Sequence, residues 1–222
     1  MGKNTILRVL AVLSGFLGMT IVSYTLYPLA SYELNAREKY PRLISPLPES
    51  ERLPDLSSEY DLTLASNWFP DGANKEDFVL SKVSYYTISI PKLGIESATV
   101  AIGGEDLAKS LIQYPGTALP GKIGNTVIFG HSILPIFYNP KDYLAIFSTL
   151  PTLKKGDKIE INYDGVTYKY QVTDLFEVLP DELDVLTQDS SNSYISLITC
   201  VPPGHPLKPR RLVVRAKIVP FN

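Results

Sequence analysis

The sequence predicts a mainly β domain, a closed or nearly closed barrel with a few short helices, set behind an N-terminal membrane helix and a stalk. Three observations carry that expectation. Residues 9–30 form an apolar run without a single charge. Residues 31–74 carry Pro41, Pro46, Pro48, Pro54 and Pro70 among scattered charges and keep no sustained period of 2 or 3.6. From residue 75 to 222, short β-branched and aromatic runs alternate with turn signals, and the 18 prolines and 14 tyrosines of the whole chain suit strands and loops better than a helical bundle.

The elements follow in order. Roughly 20 apolar residues span a bilayer as a helix, so residues 9–30 are expected to be a retained signal-anchor behind a short tail, 1–8, that carries Lys3 and Arg8. The rival is a cleaved signal peptide, but no small-x-small cleavage site follows the apolar core. The positive-inside count is close to even, because Arg37, Lys39 and Arg42 lie beyond the span; a short tail is more easily left in the cytoplasm than a large domain, so the domain is expected outside. The stalk should hold a few short helical turns, with Trp68 in a turn whose aromatic pair packs on the domain; a lid over an active site is the rival reading.

In the domain, residues 83–90 and 97–102 read as strands, 105–113 as one or two helical turns, 125–130 as a short buried strand ending at His131, and 141–150 as a short helix. Residues 158–163 and 166–178 flank Asp164-Gly165, a strong hairpin signal. Residues 181–186 suggest a helical turn, and 194–200 and 211–219 the last two strands. No internal repeats are visible.

Composition excludes some functions. Lys and Arg number 21 against 23 Asp and Glu, so nothing points to nucleic acid or to a disordered acidic tail. The single cysteine, Cys200, permits no intramolecular disulfide and no cysteine-based metal cluster. A lone cysteine is usually a small buried hydrophobe, but a free thiol outside the cell calls for a reason. With only two histidines, His131 and His205, the search for a base is narrow.

His131 and Cys200 both fall at C-terminal ends of expected strands, which in a barrel can meet at one rim. A thiol is mostly protonated at neutral pH and needs a neighbour to become a nucleophile; an adjacent imidazole can take its proton. Attack on an amide carbonyl then places charge on oxygen, and a fixed donor aimed there is worth about 3 kcal/mol. Arg211 opens the strand after the cysteine loop and stays charged with several donors. On spacing alone, a buried structural cysteine and arginines that discourage edge pairing remain open.

The run Ser196-Leu197-Ile198-Thr199-Cys200 resembles the sortase signature, in which a strand ends in Thr-Cys. Arg211-Leu212-Val213-Val214-Arg215-Ala216 is similar to the segment in which an arginine opens the final sortase strand, and Asn125-Thr126-Val127-Ile128-Phe129-Gly130-His131 to the strand that delivers the sortase histidine. Ile88-Ser89-Ile90-Pro91-Lys92-Leu93-Gly94-Ile95, Pro115-Gly116-Thr117 and Pro120-Gly121 also match, so the resemblance covers residues 83–219 in order.

That resemblance implies an eight-stranded sortase-type barrel and a cysteine transpeptidase. It implies cleavage of a surface-protein sorting signal, commonly Leu-Pro-any-Thr-Gly, through a thioacyl intermediate, and transfer to an amine of a wall precursor or a pilin lysine. Cys200 is then the nucleophile, His131 the acid/base and Arg211 the oxyanion and substrate clamp. Thr199, Ser132 and His205 are the expected substrate-binding residues, with His205 a rim residue of the groove and a weaker rival for the base. Arg210 creates an ambiguity of one position, resolved for Arg211 by the Arg-Leu-Val-Val register.

No cofactor is expected; Asp181, Glu182 and Asp184 are a solvated turn in preference to a calcium site, which needs about six or more oxygens. The expected location is the bacterial cell membrane, single-pass. Ser132 stands where many sortases have Arg. Phe69-Pro70-Asp71 is not the Asp-Pro-aromatic lid of pilin-assembling sortases, and the chain ends at Asn222, so a single-anchor subclass is expected. The rivals are another extracellular Cys-His enzyme (a thiol protease or an L,D-transpeptidase, although Pro202 holds the place of that family's arginine) and a non-catalytic peptide-binding barrel.

Overall fold

The structure, a computed structural model, describes residues 2–41, 61–69, 71–73, 75–79, 84–189 and 191–220. The middle of the expected stalk, with Pro46, Pro48 and Pro54, lies outside the described residues, as do Pro70, Val83 and Asn222.

The N-terminal helix α1 runs Lys3–Lys39 and passes through Pro28 without ending. Proline there removes one backbone donor, and the rest of the ladder carries the helix on. Leu7–Ala36 is long and apolar enough to cross a membrane, and none of its most apolar window is buried. The sequence reading ended this element at Ala30; the helix continues nine residues further, to Lys39. The reason is the spacing of Tyr32, Ala36 and Tyr40, which places one stripe on a single helix face and packs it against the barrel core. Tyr32 Oη donates to Glu177 Oε1 at 2.7 Å, and Lys39 Nζ donates to the Pro151 carbonyl at 2.7 Å. Arg210 forms an ion pair with Glu33 on the same helix.

Eight strands close the barrel: β1 Ser84–Ile90, β2 Ile95–Ile102, β3 Leu111–Gln113, β4 Gly124–Phe129, β5 Lys158–Tyr163, β6 Val166–Val178, β7 Ser193–Val201 and β8 Arg210–Ile218. Their order around the barrel is β1-β2-β3-β4-β7-β8-β6-β5. The pairs β2–β3 and β4–β7 are parallel and the rest antiparallel. Closure removes the exposed edges that a flat sheet of such strands would present. The β5–β6 hairpin turns on Asp164 and Gly165 with φ of +52° and +74°, the left-handed pair that a two-residue hairpin of this twist requires.

Two element expectations are corrected. Residues 105–113 hold no helix: they form turns that lead into β3, whose Val100↔Leu111 pairing on β2 satisfies the backbone as a strand. Residues 141–150 are a chain of turns, followed by a 3-10 segment at Leu150–Thr152. Asn139 and Asp142 side chains accept from Lys141 and Leu144 N–H groups there, local bonds that compete with helix formation.

Every residue of β4 is buried, and β7 is buried at all positions but one, so both faces of this part of the sheet are covered. Inward residues such as Ile128, Leu197 and Val214 join the barrel core. The opposite face bears Val127, Phe129, Ile198, Cys200 and Val213, and it packs against Leu62, Ala65, Trp68, Phe69 and Phe78 from the segment before the barrel. That segment, with a 3-10 turn at Ala65–Trp68 and a short helix α2 at Lys75–Val79, is strapped down by backbone bonds. Ala65 N–H donates to Glu105 C=O at 3.0 Å and Leu107 N–H to Thr63 C=O at 2.9 Å.

Candidate active site

The site is built on three adjacent strands. β7 pairs with β4 in parallel register, Phe129 opposite Ile198, and extending that register two residues places His131 beside Cys200. On its other side β7 pairs with β8, and Cys200 stands opposite Arg211. Alternation along each strand puts His131, Cys200 and Arg211 on the face that carries Phe129, Ile198 and Val213. The chain leaving β4 is tied to β7 by three bonds. Gly130 N–H donates to Ile198 C=O at 3.2 Å, Thr199 Oγ1 to Gly130 C=O at 2.8 Å, and Ser132 Oγ to Cys200 C=O at 2.6 Å.

The three residues are deeply buried: Cys200 and Arg211 are 1% exposed and His131 4%. The strap packs on this face, with Trp68, itself 0% exposed, against His131 and Arg211. The Trp68 ring stacks on Phe129 at 5.1 Å and lies 6.0 Å from the His131 ring and 5.5 Å from the Arg211 guanidinium. Its indole N–H donates to Leu62 C=O at 2.9 Å, which fixes the ring. Trp68 is therefore packed on the domain, as the sequence reading expected, and the face it packs on is that of Cys200.

Arg211 spends its donors on backbone carbonyls: Nη1 on Lys208 at 2.8 Å and Arg210 at 3.3 Å, and Nη2 on Trp68 at 3.3 Å. Its Nε and the His131 Nε2 are buried without a hydrogen-bond partner among the described residues. Burial, with Lys208 adding to it, lowers the His131 pKa to about 4, against an opposing pull from Asp61 and Asp106. Its imidazole is thus neutral at pH 7, the form that accepts a proton.

The remaining candidates divide. Thr199 and Ser132 are buried and serve as ties between the strands that carry His131 and Cys200. His205 is half-buried in the β7–β8 loop, where its Nδ1 accepts from Leu207 N–H at 3.1 Å. Arg210 points to the other face of β8, toward Glu33 and Glu177. Among Asp181, Glu182 and Asp184, Glu182 Oε2 accepts from the Leu179 N–H at 2.7 Å and closes the turn. Sequence reasoning missed the Trp68 carbonyl on Arg211 and the charges of Asp61, Asp106 and Lys208 around His131; nothing in the local sequence signals either.

The sortase-domain family model matches residues 88–219, more than half of the chain. The chain belongs to the sortase family. Sortase A of Bacillus anthracis is 33% identical over 117 residues, 51% of this chain and 50% of that protein. A sortase A structure from Corynebacterium diphtheriae, a lid mutant, is 31% identical with a TM-score of 0.54, covering 64% of this chain and 74% of that one. The sortase C-1 structure from Actinomyces oris is 26% identical with a TM-score of 0.53, covering 89% and 99%. This sortase chain spans about half the length of the curated relatives it matches.

Proposed function

We propose that this sortase is a membrane-anchored cysteine transpeptidase. The observation that carries the reading is the placement of Cys200 between His131 and Arg211 on one face of three neighbouring strands. Neutral His131 takes the Cys200 proton, and the thiolate attacks the carbonyl of a sorting signal of the Leu-Pro-x-Thr-Gly kind. Arg211 donates to the oxyanion as it forms. His131 returns the proton to the departing amine, which leaves a thioacyl bond on Cys200. An incoming amine then attacks that bond, loses its proton to His131 and releases the thiol. Thr199 and Ser132 hold the two strands in register, and His205 lines the rim where substrate enters.

The donors and acceptors are surface proteins with a sorting signal and an amine of a wall precursor or a pilin lysine. Residues 1–8 lie in the cytoplasm of a bacterial cell, 9–30 span its membrane, and 75–222 catalyse outside, reached through 31–74. The long, unburied apolar helix supports the anchor. Trp68 and its carbonyl hold the position that substrate must take against Arg211, so the strap at Ala65–Trp68 acts as a lid that is displaced on binding.

The test incubates the full-length chain in detergent micelles with Leu-Pro-x-Thr-Gly peptide variants, with and without an added amine, and reads Cys200 by mass spectrometry. An acyl adduct present in the wild type, lost in Cys200→Ala and discharged onto the amine is the expected result. An adduct discharged only by water makes the chain a thiol protease. A thiol inert to peptides even after Trp68→Ala makes it a binding barrel.

A further inference from the structure

A cleft of about 390 Å³ opens where the end of α1 meets β6 and β8, away from Cys200. Its charged lining is Lys39, Lys154, Lys155, Arg215 and Asp174, with Tyr40 and Phe176 among its apolar walls. Arg215 shares a β8 face with Arg211 but stands four residues on, about 13 Å along the strand. Four cations thus meet one carboxylate. Asp174 is taken by Lys155, at 3.0 Å. Lys39, Lys154 and Arg215 make no ion pair among the described residues.

Each of these cations retains donors. Lys39 Nζ uses one on the Pro151 carbonyl at 2.7 Å, leaving two of its three. The Arg215 Nε reaches Ser196 Oγ at 3.4 Å, and its guanidinium lies 5.5 Å from the Phe176 ring. Burial, then Lys154 and Lys92, hold the Lys39 pKa below the usual lysine range. Like charges crowded in a cleft repel one another until an anion enters. Lysine and arginine donors converging on such a space match the oxygens of a phosphate.

The place of the cleft says where that phosphate comes from. The uncharged run 9–30 has 22 residues; at about 1.5 Å each it is about 33 Å long, close to the thickness of the hydrocarbon core. Lys39 follows nine residues, about 14 Å, further on, so the cleft faces the headgroup layer from outside it.

We propose that this cleft binds the phosphate of an anionic phospholipid headgroup and so fixes the barrel on the membrane surface. The inference rests on the membrane-anchored reading of α1. The bound headgroup joins α1 to the Lys154 loop and to β8, so it resists separation of the helix from the barrel.

The experiment uses the full-length chain in neutral dodecyl maltoside micelles, titrated with dihexanoyl phosphatidylglycerol, dihexanoyl phosphatidylcholine or inorganic phosphate, with Tm followed by circular dichroism. Phosphatidylglycerol is expected to raise Tm by several degrees, and phosphatidylcholine to leave it unchanged. Lys154→Glu, or separately Lys39→Gln, is expected to weaken the effect about tenfold without changing the alkylation rate of Cys200. An equal response to phosphatidylcholine, or an undiminished response in both variants, overturns the site. An equal shift with inorganic phosphate at the same concentration overturns the lipid assignment. Flotation with neutral phosphatidylcholine vesicles tests α1 alone. A chain that floats but shows no phosphatidylglycerol response fails at the cleft only, and a chain that does not float removes the anchor and the lipid site together.

Discussion

Arg211 Nη2 donates to the main-chain carbonyl of Trp68 at 3.3 Å, and the guanidinium lies 5.5 Å from that residue's own ring. A charged group proposed to hold a substrate carbonyl is thus already holding one that belongs to the chain. On the proposed reading, peptide binding displaces that carbonyl, and the cost is set by how firmly the strap is docked.

Trp68→Ala should open the site. Truncating a buried tryptophan costs about 3–5 kcal/mol, here drawn mainly from strap docking because Trp68 packs on Phe129 and Phe69 packs beside it. The expected outcome is a rate of Cys200 alkylation by iodoacetamide at least about tenfold above the wild type, since about 1.4 kcal/mol is a factor of ten. An unchanged rate would show that the strap does not control access to the thiol.

His131 should make stability depend on pH in one direction. Its folded pKa is lowered to about 4 by burial first, against about 6.5 in an unfolded chain. Between these values the unfolded state binds the extra proton, so stability falls as pH drops through that window and the loss is complete near pH 4. The magnitude is about 3 kcal/mol. Chemical unfolding of wild type and His131→Gln between pH 4 and 7 measures it, and the variant should show the shallower dependence. Trp68→Ala should raise the His131 pKa, read by NMR, as water reaches the ring.

Gly130 faces inward, one residue before His131. A Cβ there would lie 2.5 Å from Leu111 Cδ2 and 2.5 Å from Phe147 Cδ2, both buried core atoms. Overpacking of that kind costs about 1–3 kcal/mol. Gly130→Ala should lower Tm and, by shifting the backbone that carries His131, slow thioacyl formation; a variant with wild-type Tm and rate would refute the close approach.

Glu177 is the buried centre of the helix–barrel junction. It accepts from Tyr32 Oη, and one of its oxygens lies 3.1 Å from Arg210 Nε, with side chains 3% and 10% exposed. Removing one partner of a buried pair costs about 3–5 kcal/mol. Glu177→Ala should therefore destabilise the full-length chain in urea unfolding, and Glu177→Leu combined with Arg210→Met should recover much of the loss. Equal destabilisation by the single and double variants would mean that the charges are not coupled.

Much of this architecture was legible in the residues. The apolar run at 9–30, the Asp164-Gly165 hairpin and the β-branched runs ending at His131 and Cys200 all signal their structure locally, because hydrophobic period and turn chemistry act over a few residues. Residues 105–113 and 141–150 misled for the same reason: their local pattern allows helical turns, and only pairing with β2 or side-chain bonds to nearby backbone decides against them. The extension of α1 to Lys39 was hidden because Tyr32, Ala36 and Tyr40 form a stripe only when a barrel end exists to receive it.

The sequence by itself determined the set of groups: one thiol, two imidazoles, an arginine at the start of the last strand, and a leading apolar helix. Only the tertiary structure decided their states. It set Arg211, already favoured by the sequence register, opposite Cys200 and sent Arg210 to Glu33 and Glu177 on the other face. It laid Trp68 across that face and lowered the His131 pKa, because dense packing by a distant segment removes the water that would otherwise solvate the charged imidazole. Burial depends on which segments come together in space, and this sequence carries no local record of that.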